Sequence, residues 1–216
     1  MSITPVHFPL GNPYPRDKIV TLLSEVSDHC NTLTESEALA VVNSVEKRRR
    51  EFSTGRWLAH RALSQLGTDL SDLLPGPTRA PQWPDSTVGS LAHTDQYAIT
   101  AVAQKKDIIG LGIDIEHENG VEPNMIEKLL TRSERDGIND QDPTLIFSAK
   151  ESVYKLIYPI VGGFVDFQEV EISIDRETST FSARYVGDNQ ANILIEQAQG
   201  AYKKMGDHWI TFIVLS

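Results

Sequence analysis

Cysteine is almost absent from this 216-residue chain: Cys30 stands alone, which excludes an internal disulfide. With no Cys or His cluster beside it, it is no zinc site either, and a buried apolar role is the expectation. Long apolar runs are missing too. No stretch of about 18 hydrophobic residues occurs, which argues against a helical membrane span. The start, Met1 to Leu10, lacks a basic segment followed by an apolar one, so no signal peptide is indicated and a cytoplasmic protein is expected. Positive charge is in deficit: 20 Lys and Arg face 30 Asp and Glu, a formal charge of −10. That argues against non-specific binding to nucleic acid or anionic membranes, both of which rest on basic residues neutralising phosphate.

What the chain does contain is enough apolar residue, 40%, to build one domain or two small ones. Its charge is also segregated. From Lys47 to Arg61 six basic residues accompany Glu51 alone, whereas from Gly112 to Asp142 nine acids accompany three bases. One part of the chain is thus suited to an anion and another to a cation.

Local patterns predict helices interspersed with hairpins. Thr34-Glu-Ser-Glu37 is a capping box, and helix-compatible sequence runs from it to Leu66, with Gly67 as terminator and a break into two helices predicted at Phe52-Ser-Thr-Gly55. Prolines 75, 77, 81 and 84 impose an extended loop over residues 71–89. Gly89–Ala92 and Ala98–Ala103 read as strands, the second predicted to form a hairpin with the Gly110 strand through Gln104-Lys-Lys-Asp107. Asp142-Pro143 opens a helix expected to stop at Tyr158, before Pro159. Alternation at Val170–Ile174, Phe181–Tyr185, Ile193–Ile195 and Trp209–Leu215 predicts further strands. The fold class is therefore α+β with mainly antiparallel sheet.

Two blocks carry the chemistry. In Gly110-Leu-Gly-Ile-Asp-Ile-Glu116 the apolar residues alternate with Gly110, Gly112, Asp114 and Glu116, so both carboxylates project from one face of a strand. Oxygen ligands at that spacing suit a hard cation such as Mg²⁺, with the glycines letting a ligand approach the backbone. Glu151, in Phe147-Ser-Ala-Lys-Glu-Ser-Val-Tyr-Lys155, is a third candidate ligand, four residues before Lys155 on one helical face. Each feature alone is equally compatible with a solvated strand face or a surface ion pair.

Their order is more specific. Lys47-Arg-Arg-Arg-Glu-Phe-Ser-Thr-Gly-Arg56, Gly76-Pro-Thr-Arg-Ala-Pro-Gln-Trp-Pro84, Gly89-Ser-Leu-Ala-His93, Gly112-Ile-Asp-Ile-Glu116 and Phe147 to Lys155 together resemble the 4′-phosphopantetheinyl transferases, in particular their longer, surfactin- and enterobactin-synthase-type class. Within that class, the Pro-rich stretch and Phe-Ser-Ala-Lys-Glu-Ser are most similar to the enterobactin-synthase branch. The resemblance implies two similar α+β halves related by a pseudo-twofold axis, divided into residues 1–106 and 107–216, with coenzyme A between them and a monomer sufficient. It also implies Mg²⁺-dependent transfer of the phosphopantetheine arm of coenzyme A to a serine of an acyl, peptidyl or aryl carrier protein, releasing adenosine 3′,5′-bisphosphate.

Residue by residue, the resemblance places Arg48 and Arg56 on the 3′-phosphate, Arg79 and His93 near the coenzyme A phosphates, and Asp114, Glu116 and Glu151 on the metal. Glu151 is also its general base, Lys155 its leaving-group cation and Lys150 a second cation beside Lys155. The alternatives are another Mg²⁺-dependent phosphodiester or phosphate hydrolase, and a non-catalytic nucleotide- or carrier-protein-binding module.

Overall fold

The computed structural model describes residues 2–10, 16–68, 72–76, 80–138, 142–163, 165–187 and 193–216. The chain divides into two compact units: Met1–His7 with Pro15–Ile108, and Phe8–Tyr14 with Ile109–Ser216. Phe8 thus packs with the second unit, its ring stacked 5.0 Å from Phe212.

The first unit begins with strands β1 (Thr4–Pro5) and β2 (Ile19–Glu25), followed by helices α1 (Glu35–Val41) and α2 (Glu46–Gln65) and strands β3 (Thr87–His93) and β4 (Tyr97–Gln104). Its sheet is antiparallel, in the order β1-β2-β4-β3. One face of α2 lies on it through Leu58, Ala59, Ala62 and Leu63, which join Leu22, Ala98 and Val102 in the core.

Thr34 forms the predicted capping box with Glu37, and Gly67 takes the left-handed φ of +72° that ends α2. The helix break, however, falls at 42–45 and not at Phe52–Gly55. Gly55 stays helical, and its missing side chain makes room for Leu91, whose methyls would lie 3.1 Å from a Cβ there.

The second unit contains β5 (Gly110–His117), the short helices α3 (Ile126–Leu129) and α4 (Arg132–Gly137), and the long helix α5 (Pro143–Val161). Strands β6 (Val170–Asp175) and β7 (Thr180–Tyr185), helix α6 (Ile193–Gln197), and strands β8 (Gln199–Met205) and β9 (His208–Leu215) complete it. The five strands are antiparallel in the order β5-β9-β8-β7-β6. Helix α5 opens as predicted, with the Asp142 side chain accepting from the Thr144 N–H and Pro143 at the first turn.

Three expectations fail here. β5 pairs along its whole length with β9 and not with β4, so the predicted hairpin is replaced by a passage from one sheet to the other. Helix α5 continues through Pro159 to Val161 and ends at Gly162, φ +68°. Residues 193–197 are helical and not a strand: apolar residues at two-residue spacing also fit one turn of helix whose Ile195 is buried.

The contact between α5 and β5 is unusually close. A Cβ on Gly112 would stand 1.9 Å from the Ser152 carbonyl oxygen, and one on Gly110 would stand 3.0 Å from Ile160 Cδ1. These glycines therefore admit the helix backbone to the strand and not a ligand, which corrects the reading of the sequence. The consequence is that Asp114, on the same face two residues on, is pressed against α5 and buried.

Candidate functional site

The second unit assembles the carboxylates from β5 and α5. Asp114 is 3% exposed. One of its oxygens, Oδ2, accepts from the Ser148 hydroxyl at 2.7 Å, and Oδ1 accepts from Lys155 Nζ at 2.6 Å. A buried carboxylate needs such partners, because its charge is otherwise uncompensated.

Ser148 is itself fixed by Thr211, the residue opposite Asp114 on β9: the two hydroxyls are 2.9 Å apart, and the Thr211 hydroxyl donates to the Ser148 carbonyl at 2.9 Å. Ser152 adds a 2.6 Å contact to the same hydroxyl. These three hydroxyl residues position Asp114 and were not singled out from the sequence. The two serines share one stripe of α5 with Lys155, at 148, 152 and 155, whereas nothing local marks Thr211 on β9.

Glu116 and Glu151 gather near this centre. Burial first, and then the Asp114 charge, push Glu116 up to about 7, against the pull of Lys155. Burial also raises Glu151, with Lys155 opposing and Asp114 adding to the rise. For Lys155 burial acts downward, but Asp114 and Glu151 outweigh it and hold the ammonium above its usual range. Asp114, Glu116, Glu151 and Lys155 thus form one electrostatic cluster with three acids and one base.

The donor set is all oxygen and carries excess negative charge, which suits Mg²⁺. The three carboxylates do not gather their oxygens within 4.8 Å of one another. Glu151 also borders a cavity of about 220 Å³ lined by Tyr154, Ile157, Val165, Phe167 and Val170.

Lys150 corrects the sequence reading. It is 2% exposed, and its three ammonium hydrogens meet Glu134 Oε2 at 2.7 Å, the Leu129 carbonyl at 2.9 Å and the Phe167 carbonyl at 2.6 Å. Glu134 in turn caps α4 and accepts from the Ile172 N–H at 2.7 Å. Lys150 ties α4, α5 and the start of β6 together and has no hydrogen left for a nucleotide. Lys155 lies five residues on, about 140° around the helix at 3.6 residues per turn, and so faces β5.

In the first unit, α2 and β3 bring the other candidates together. Arg48 Nη1 is 3.1 Å from His93 Nε2, and His93 Nδ1 is 3.9 Å from the Glu51 carboxylate. Arg56 is 4% exposed. Its guanidinium lies over the Phe52 ring at 4.4 Å, a contact that offsets part of its desolvation. Its Nε has no hydrogen-bond partner among the described residues. Burial lowers its pKa to about 10, Glu37 opposing and Arg48 contributing, so it stays charged at neutral pH. Arg79 lies outside the described residues.

The α+β fold thus carries a buried acid–lysine centre, with oxygen donors compatible with a hard metal, on one antiparallel sheet and a buried guanidinium on a helix of the other. Comparison with known proteins gives the family. The model of the 4′-phosphopantetheinyl transferase N-terminal domain matches residues 35–103, and that of the 4′-phosphopantetheinyl transferase superfamily matches residues 110–213. The chain belongs to the 4′-phosphopantetheinyl transferases and is an enzyme of that kind.

Among its relatives, 4′-phosphopantetheinyl transferase Svp of Streptomyces mobaraensis is 39% identical over 165 residues, 73% of this chain and 67% of that protein. The transferase Npt of Nocardia iowensis is 32% identical, over 73% of this chain and 76% of its own length. Enterobactin synthase component D of Escherichia coli K12 is 29% identical, over 64% and 72% respectively. Identity to Svp therefore exceeds identity to this enterobactin-synthase relative.

Proposed function

We propose that the enzyme transfers the 4′-phosphopantetheine arm of coenzyme A to a serine of an apo carrier protein in a Mg²⁺-dependent reaction. The serine oxygen attacks the phosphorus that bears the pantetheine arm. The bond from that phosphorus to the bridging oxygen breaks, and adenosine 3′,5′-bisphosphate leaves. The observation that carries this reading is the Asp114 centre: a buried carboxylate held by Ser148 and Lys155, with Glu116 and Glu151 raised around it.

Glu151 is the group to take the serine proton, because a carboxylate whose pKa burial raises is a stronger base than one in water. Lys155 stays protonated beside Asp114 and supplies positive charge toward the leaving group. Asp114, Glu116 and Glu151 would hold Mg²⁺, which when bound neutralises the diphosphate. Arg48, Arg56 and His93 would receive the 3′-phosphate and its neighbours, guanidinium being suited to phosphate by its planar donors. The nucleophile belongs to the carrier, which is why this reading requires no Ser-His-Asp triad in the chain. The name of the relative Enterobactin synthase component D supports a carrier protein of siderophore or nonribosomal peptide assembly.

The test incubates a purified apo carrier protein with coenzyme A, Mg²⁺ and the enzyme. The expected result is a mass gain of about 340 Da on one serine, reduced at least about 100-fold by D114N, which keeps the side-chain shape but removes the charge. Phosphodiester hydrolysis without the adduct, or near-full transfer by D114N, would refute the reading.

A further inference from the structure

The second unit contains a second cluster of metal-ligating side chains, which the transfer chemistry does not use. His117 closes β5 and His208 opens β9, and the two are register partners across the antiparallel pair. Their rings lie 4.1 Å apart, tilted by 43°. Asp207 comes from the two-residue turn Gly206-Asp207, which joins Met205 and His208 and uses a positive φ of 57° at Gly206. Asp207 is anchored at both ends: its carbonyl accepts from the Glu118 N–H at 2.7 Å, and its carboxylate lies 2.8 Å from His208 Nδ1. One ligand atom from each of His117, Asp207 and His208 lies within 4.8 Å of the other two, the only such trio among the described residues.

We infer that His117, Asp207 and His208 form a binding site for a borderline divalent metal of the Zn²⁺ type, separate from the Mg²⁺ carboxylates. Two imidazole nitrogens and one carboxylate oxygen are a donor set for Zn²⁺ and its neighbours, whereas Mg²⁺ and Ca²⁺ call for oxygen throughout. Three protein ligands leave a fourth position for water. Zn–N and Zn–O distances of about 2.0–2.2 Å require ligand atoms roughly 3.4 Å apart in a tetrahedron.

His208 is fully buried and fixed, while His117 is half-buried and Asp207 exposed. Rotation of the two more exposed side chains closes the set, with the metal replacing the contact between His208 and Asp207. The neighbouring cation does not compete, because Lys204 pairs with Glu118. Successive residues of a strand point to opposite faces, so His117 lies on the face of β5 away from Glu116 and Asp114. A metal here would pin the end of the strand that carries both carboxylates without sharing them.

The experiment titrates metal-free enzyme with Zn²⁺ by calorimetry in saturating Mg²⁺, alongside thermal unfolding. Wild type and D114N are expected to bind one Zn²⁺ per chain at this site and to unfold at higher temperature with it. H117A and D207N, which change the two more exposed ligands, should each weaken that binding at least tenfold and lose the thermal shift, while unfolding like wild type without metal. Absence of Zn²⁺ binding to wild type in excess Mg²⁺ would overturn the proposal. So would Zn²⁺ binding that survives both H117A and D207N but disappears in D114N, since the ion would then belong to the carboxylate centre.

Discussion

Helices α2 and α5 each lie on an antiparallel sheet and each bury a cation, and the two cations have opposite fates. Lys150 of α5 has every ammonium hydrogen taken by Glu134 and two carbonyls. Arg56 of α2 is equally hidden, its guanidinium lying over the Phe52 ring, yet its Nε is unsatisfied among the described residues. Burying charge is costly unless its hydrogen bonds are met. Lys150 is thus satisfied from within the fold, whereas the Arg56 Nε is a donor that an anion from outside would satisfy. The glycines differ in the same way: Gly55 yields to the flexible methyls of Leu91, whereas Gly112 abuts the backbone of α5.

The largest effect expected is from G112A. With the Ser152 oxygen 1.9 Å from the new methyl, α5 must leave β5, and a loss of about 3 kcal/mol or more should show as a sharply reduced folded yield and melting temperature. A variant that melts like wild type would mean that the contact is adjustable.

K150M should come next, because it strands buried Glu134 without its counter-charge. A loss of about 3–5 kcal/mol is expected, lowering the melting temperature by roughly 10 °C, while the Michaelis constant for coenzyme A stays unchanged in the folded fraction. A raised constant with normal stability would reverse the contrast between Lys150 and Arg56.

The pH dependence of Glu116 is a smaller effect. Its folded-state pKa of about 7 lies above its ordinary value of 4.5, so between these pH values the folded protein holds a proton that the unfolded chain has released. Stability from this group is complete below the unfolded value and is lost as pH rises through 7. Allowing for solvent screening, metal-free enzyme should lose about 1–2 kcal/mol over this window, and E116Q should flatten the profile. Identical profiles for the two proteins would remove Glu116 from the coupled cluster.

Much of the fold could be read from local chemistry. Thr34, Gly67, Asp142 and Pro143 mark real helix ends because a cap depends on only a few neighbouring residues. Pairing of β5 could not be read in this way, because its partner β9 lies about 100 residues away and nothing local distinguishes it from β4. Strands β2 and β8 escaped because consecutive buried residues, such as Gly200, Ala201 and Tyr202, break the alternation that reveals a half-buried strand. At the candidate site, order along the chain pointed to Asp114, Glu151 and Lys155, and the fold brings these three into one electrostatic cluster. The roles of Lys150, Ser148 and Thr211 were not, since they depend on which carbonyls and carboxylates the fold brings to them.

The most direct measurement compares the Michaelis constants of wild type and R56M for coenzyme A and for its analogue lacking the 3′-phosphate. If the unsatisfied Nε of Arg56 awaits that phosphate, R56M raises the constant for coenzyme A about tenfold or more, with a much smaller change in turnover, and the penalty vanishes with the analogue. An equal penalty on both substrates, or none on either, would contradict the account.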